Sequence, residues 1–469
     1  TQYSYAISAY DAANNESPQS FQVSATTQSG QAQTYTLTVS KGGTRSGTVT
    51  GGSINCGSTC TQSNITQGTS ITLTATPDAG STFTGWIGGG CSGTDACSVT
   101  VNANTTVTAT FNIQTPPSGN RVDRLNSYGN LIASFTTIQA CSDVVQAGET
   151  CLVWPGQYDE AVISRSNGKF DKYIYLKSRS NYEAIISKGV VIQNDYVKIE
   201  GFSITANQNY VMGIQIRGDY GEVIGNYIYD IKGTAAIGSV WADRPKYLNI
   251  SNNKIYHSQY GIIIKGDDWH VLNNEINRLV KFTNSDADYI RFFGENHQIV
   301  GNYLHGTALN EVSGESPAHV DCFQTYDSST TGEYAKNISI KKNFCLDFHE
   351  GFMGEAHHYK RSSNILIQEN VFAQSLTGFG DGIDVEDIPY VSVIGNTFYG
   401  IGNIGVLISS KNNNLATNAI ISNNIFMGFY DRSYSYFGLT SFGDYNLSYN
   451  NGNDPNRGPH DLIGISPLF

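Results

Sequence analysis

Four carboxylates are placed to do acid–base work in this chain: Asp321 in "DCFQT", Glu355 in "GFMGE", and Asp384 with Glu386 in "GIDVE". Each segment reads as a short strand, and side chains alternate faces along a strand. With the apolar second and fourth positions turned inward, all four acids point outward from consecutive strands stacked ~4.8 Å apart. Like charges gathered this closely cost stability and serve no purpose in folding, whereas proton transfer or a bound cation would require them. The alignment makes Glu355 and Glu386 direct neighbours. It sets Glu355 and Asp384 on a diagonal of roughly 8 Å, a spacing that leaves room for a water molecule between an acid and a base. Glu355 and Asp384 are the preferred pair.

The same face is expected to carry Lys265, Arg291, Phe293, Phe323 and Tyr326, that is, two cations able to neutralise an anion and three aromatic rings on which a ligand ring could stack. His319, His357 and His358 flank the acids in "HVD" and "EAHH". None of the familiar zinc spacings is present, so these histidines are expected to bind substrate by hydrogen bonds. Four carboxylates on one face form an oxygen-rich site, and the ion such a site suits is calcium. Two insertions, "HGTALNEVSGESPAH" and "DSSTTGEYA", rise beside this face and are expected to wall it into a cleft.

The elements that must position these groups repeat. Strands align as "GIQIR", "GIIIK", "YIRFF", "DCFQT", "GFMGE", "GIDVE" and "GVLIS", with Ile214/Ile216, Ile262/Ile264, Ile290/Phe292, Cys322/Gln324, Phe352/Gly354, Ile383/Val385 and Val406/Ile408 inward. Gln324 is the one inward polar residue and needs internal partners. Between these strands a second phrase recurs, "VIGNYIY", and stacks Asn226, Asn253, Asn274, Asn302, Asn343, Asn370, Asn396 and Asn424 at intervals of 27, 21, 28, 41, 27, 26 and 28. Such periods mark a solenoid. The column is expected to be structural, each side chain bonding the next coil and the turn backbone. At the array's entry, Ile138, Cys141, Val144 and Val145 share one face of a short helix that precedes an apolar strand, Cys151–Trp154.

The whole chain fits this picture. It has 469 residues, 49 Gly, 29 Tyr, 21 Phe and only 14 % charged residues, a secreted β-protein profile in which helices are scarce. The net charge of −12 disfavours nucleic acid and anionic membrane surfaces as partners, and no apolar run is long enough to span a bilayer. The eight cysteines fall in close pairs, Cys56/Cys60, Cys91/Cys97, Cys141/Cys151 and Cys322/Cys345, which predicts disulfides and an oxidising compartment. Thr1 is not Met, so the chain is expected to begin inside a longer protein. Four segments follow: 1–30, a small all-β module at 31–113, a linker at 114–120, and the repeat array at 121–469.

Three resemblances sharpen these expectations. "YSYAISAYDAANNESPQS" resembles the end of a fibronectin type III domain, and "GSTFTGWIGGGCSGTDACSVTVNANTTVTATF" resembles the divergent listerial-internalin-type B repeat, which implies a spacer or a weak binding module. The entry helix and the asparagine column resemble right-handed single-stranded parallel β-helix proteins with a short N-terminal capping helix, an all-β class. Secreted bacterial enzymes of that class act mostly on long polysaccharides. The resemblance therefore implies a secreted or cell-surface enzyme with a polysaccharide substrate, first an inverting glycoside hydrolase that needs no cofactor. The second reading is a calcium-assisted polysaccharide lyase acting on a uronate-containing glycan, with Lys265 or Arg291 as base, similar in general plan to pectate, alginate and chondroitin lyases. The third is a non-catalytic glycan-binding adhesin. The acid cluster also looks like that of the polygalacturonase group, but that group's "NTD", "GHG" and "RIK" signatures are absent, so pectin is not expected.

Overall fold

The computed structural model describes residues 2–26, 32–43, 46–78, 81–113, 119–206, 208, 211–280, 286–307, 319–356, 361–375, 380–410, 418–428, 432–436, 442–449 and 458–464. The chain divides into two compact units, 1–115 and 116–469. In the first, strands Gln2–Tyr5 and Val23–Thr26 pair antiparallel, and two four-stranded sheets follow. Their alternating strands bury Leu37, Val49, Leu73, Trp86, Val99, Val107 and Phe111. Disulfides Cys56–Cys60 and Cys91–Cys97 close two of its turns.

The second unit is a parallel β-solenoid. Helix α1 (Ile138–Ser142) starts it, with Thr137 as its N-cap and the Glu160 carboxylate accepting from the Ile138 and Gln139 amides. The Cys141–Cys151 disulfide fastens the helix to strand Thr150–Val153. Ile138, Cys141 and Val145 are buried, but Val144, beyond the helix end at Ser142, is exposed.

Each later coil contributes three strands, and each strand pairs in parallel with its counterpart one coil on. The asparagine column lies in the turn between two of them. Each ladder Asn is buried, and its Nδ2 and backbone amide both donate to Oδ1 of the next. A ninth member, Asn446, extends the column and hands it to Asp461. The left-handed turn residue is not the ladder Asn but the one before it: Gly225, Asn252, Asn273, Gly301, Lys342, Glu369, Gly395 and Asn423 all have φ between 54° and 70°. The ladder side chain is thereby freed to bond along the stack.

The strands that carry the candidate acids are β1 (Lys254–Asp267), β2 (Ile290–Glu295), β3 (Phe323–Tyr326), β4 (Phe352–Glu355), β5 (Ile383–Glu386) and β6 (Ile404–Ser409). The inward set is as expected on every one of these strands except β3. Ile290 pairs with Phe323, and Phe323 with Phe352, so Phe323 and Thr325 fill the inward positions in place of Cys322 and Gln324. This one-residue shift flips the whole segment. The reason is volume. The position before the first inward residue is Gly351, Gly382 and Gly405 where Phe372, Phe398 and Phe426 fill the opposite strand, since a Cβ there would come within 2.8 Å of the ring. Opposite the smaller Cys345 the same position holds Cys322, and the two form a disulfide.

Burial also fixes one protonation state. His297 is fully buried behind β2, with Nδ1 accepting from the Trp269 amide and Nε2 facing the Phe293 carbonyl, which identifies the neutral ring. Burial depresses its pKa from 6.5 to about 4.

Two outcomes follow from the fold. Asn370→Ala strands the Asn343 donors and is expected to cost ~2–4 kcal/mol in urea denaturation, whereas Asn364→Ala, in an exposed ladder, costs under about 0.5 kcal/mol. The unfolded chain takes up a proton below pH 6.5 that folded His297 refuses, so stability falls as pH drops toward 4, by about 1.4 kcal/mol per pH unit for this group. His297→Gln should flatten the measured slope by one proton.

Candidate active site

The outward face of β1–β6 consists of two columns set by register. One holds Ile263, Arg291, Gln324, Met353, Asp384 and Leu407; the other includes Lys265 with Phe293, and Tyr326, Glu355, Glu386 and Ser409 in series. Glu355 and Glu386 are direct neighbours, and Asp384 is in register with Met353, one residue pair along. Over β3 and β4 this face opens into a cavity of about 280 Å³ lined by Asp286, His319, Gln324, Thr325, Tyr326, Met353 and Glu355.

Of the residues singled out from sequence, Glu355, Tyr326 and His319 meet in this cavity. Asp384 and Glu386 lie one coil on, with Glu386 buried. Lys265 is bound to Glu333 at 2.6 Å, because the 327–335 insertion folds back across the face. Arg291 is held by Asp288 at 2.5 Å and Asp286 at 3.0 Å, under the ring of Tyr260. His357, His358 and residues 308–318 of the first insertion lie outside the described residues.

Four expectations are overturned. Phe323 belongs to the core, for the register reason given above. Phe293 points outward but is fully buried, packed between the Lys265 ammonium and the Tyr326 ring, and offers no stacking platform. Asp321 is not on the surface: it is fully buried one position ahead of the expected alignment, in register with Asp288 and Glu350. Gln324, expected inside, instead lines the cavity and donates to Asp321 Oδ2 at 3.0 Å.

The true alignment reveals a second ladder. Asp288, Asp321, Glu350 and Asp381 are buried on four successive coils. Each carboxyl accepts a backbone amide from the following coil: Asp321 from Glu350, Glu350 from Asp381, and Asp381 from Ile404. An acid two residues before the first inward side chain, in Asp288-Tyr-Ile, Asp321-Cys-Phe, Glu350-Gly-Phe and Asp381-Gly-Ile, is the signal that marks it. Burial pushes Asp288 up to about 6 and lifts Asp321 well above the carboxylate range, with Asp288 and Asp286 adding to the latter. Burial, reinforced by Asp381, Asp321 and Asp384, takes Glu350 to about 10. At neutral pH Glu350 therefore carries a proton beside the cavity, and Asp288 is ionised against Arg291. His349, absent from the sequence-based set, packs its ring 4.5 Å from that of His319, and burial holds its pKa down at about 4.

Residues 35–115 match the family model of the divergent InlB B-repeat domain. No curated protein matches the chain. Among solved structures, the solenoid is similar to the A-module of mannuronan C-5 epimerase AlgE6 from Azotobacter vinelandii, at 14 % identity and a TM-score of 0.49, over 71 % of this chain and 95 % of that one. It is also similar to the PL6 family polysaccharide lyase Pedsa3628 from Pseudopedobacter saltans, at 13 % identity and a TM-score of 0.40, over 70 % and 93 %. A third likeness is to the GH136 lacto-N-biosidase from Eubacterium ramulus, at 10 % identity and a TM-score of 0.42, over 71 % and 64 %. These are likenesses of fold.

Arg291 is the cation that keeps Asp288 ionised in the interior. Arg291→Ala is expected to lose about 3–5 kcal/mol, read from the urea midpoint, and Asp288→Asn/Arg291→Met to recover most of it. An arginine held in place only for catalysis would leave the midpoint unmoved.

Proposed function

We propose that the chain is an extracellular glycan-cleaving enzyme, a glycoside hydrolase whose reaction centre is the cavity over β3 and β4. The observation that carries this reading is the charge of that cavity: its described lining holds two carboxylates, Asp286 and Glu355, and no lysine or arginine. A hydrolase needs one carboxyl to protonate the leaving oxygen and one to activate water. We assign these roles to Glu355 and Asp286, which replaces the expected Glu355 and Asp384 pair. Asp286 precedes β2 and Glu355 ends β4, two rungs apart, so the two are separated by roughly 9.6 Å along the stack and further along the strand direction. A pair set wider than the close spacing of a retaining enzyme acts through water, with inversion. Gln324, His319 and the Tyr326 hydroxyl, whose pKa burial raises, supply hydrogen bonds to the sugar.

The lyase reading is less well supported. A uronate needs a cation to bind it and a base to take the proton beside it. Lys265 and Arg291, the groups available for both tasks, are committed to Glu333 and to Asp286 with Asp288. With Asp286 paired to Arg291, Glu355 is the remaining lining carboxylate and no lining cation faces a uronate, which favours a neutral glycan. Four disulfides support an oxidising, extracellular setting, and no described helix is long and apolar enough to cross a membrane.

The test is a panel of neutral, uronate-bearing and sulfated glycans. Reducing ends without ultraviolet-absorbing unsaturation are expected from a neutral member, with the inverted anomer formed first. Glu355→Gln and Asp286→Asn should each lower kcat by about 10²–10⁴-fold with unchanged circular dichroism. Unsaturated ends would establish the lyase instead, and no product from any glycan would leave a binding protein.

A further inference from the structure

Beside the cavity, two neighbouring coils bring three metal-ligating side chains together. One ligand atom from each of His319, Asp321 and His349 lies within 4.8 Å of the other two. His319 and Asp321 lead into β3 and His349 leads into β4, and the backbone holds all three: the His349 amide donates to the Val320 carbonyl at 2.7 Å, and the Glu350 amide to Asp321 Oδ1. Gln324 orients the other oxygen of Asp321.

Two features ask for a ligand here. Among the described residues, Nδ1 of His349 is buried without a hydrogen-bond partner; Glu350 Oε1 lies 3.5 Å away without forming one. A buried imidazole nitrogen left unpaired is costly. The second feature is the stacking of acids: Asp321 and Glu350 lie one above the other and no described lysine or arginine meets either, since the adjacent Arg291 is taken by Asp286 and Asp288, so a bound cation would favour the ionised form of Asp321.

We propose that His319, Asp321 and His349 form a three-ligand site for a borderline divalent cation of the Zn²⁺ class. Two imidazoles and one carboxylate suit such an ion, whereas calcium prefers six to eight oxygens. Tetrahedral ligands about zinc sit roughly 3.4 Å apart, from metal–ligand distances near 2.1 Å; side-chain rotation of the two histidines closes the difference. Three protein ligands leave a fourth position, and it opens toward the cavity, which both His319 and the Asp321-bonded Gln324 line. The site is defined by its donors and stands whichever bond the cavity cleaves.

The full chain, stripped with a chelator, is titrated with Zn²⁺ alone by calorimetry and with Co²⁺ by visible absorption. One equivalent is expected to bind, with tetrahedral Co²⁺ bands, a rise in Tm on Zn²⁺ addition, and no displacement by millimolar Ca²⁺. His319→Ala and His349→Ala should each weaken binding by more than the about 10–100-fold lost when a hydrogen-bond partner of a ligand is removed, and should abolish the Tm rise. His319 is only partly buried, so its variant is expected to fold even if substitution at Asp321 does not. No saturable uptake, uptake unchanged in both histidine variants, or preference for Ca²⁺ would overturn the assignment.

Discussion

In-register stacking of one coil on the next is the constraint on which everything in the solenoid depends. Every strand pairs with its counterpart a coil away, so each position along the coil becomes a column of like residues. Polar atoms can enter the interior only if the column itself satisfies them. The asparagine ladder shows how: each amide donates to the next through two bonds to one oxygen, and the residue before it takes the left-handed turn. Buried in this way, a polar row rigidifies the stack instead of weakening it.

The buried acid ladder follows the same rule with a different group. A carboxyl replaces the carboxamide and accepts one amide from the coil above, but it cannot donate unless it keeps a proton. Burial and neighbouring acids therefore raise the pKa of Asp321 and take that of Glu350 to about 10. Asp288 gains a counter-charge, because Arg291 reaches it from the adjacent outward column. The cavity sits where this row, that arginine and the outward Glu355 approach one another, so its electrostatics are a product of the stacking.

Much of the architecture was legible in the chain. The period of the asparagines, the alternation of Ile214/Ile216 or Ile383/Val385, and the local cysteine pairs each depend on near neighbours or on strict repetition. Glu355 was also found this way, since strand parity alone turns its side chain outward, and His319 by its place beside the acids. The segment 321–325 was not, because both of its parities look apolar: Val320 and Cys322 on one, Phe323 on the other. Aligning Asp321 with glycines hid its kinship with Asp288, Glu350 and Asp381. Phe293 was placed on the correct face, yet Lys265 and Tyr326 close over it.

By itself, the sequence determined the all-β class, the coil repeat, the polar ladder between strands and the concentration of acids on one set of strands, because these follow from periodicity and side-chain alternation. The tertiary structure decided which acids are sealed and which are reachable. It also decided that Asp286 joins Glu355, and that His349 meets His319 across a coil boundary. Those outcomes depend on complementary volumes, such as Cys322 against Cys345 or Gly351 against Phe372, and a linear alignment does not carry that information until the coils are packed.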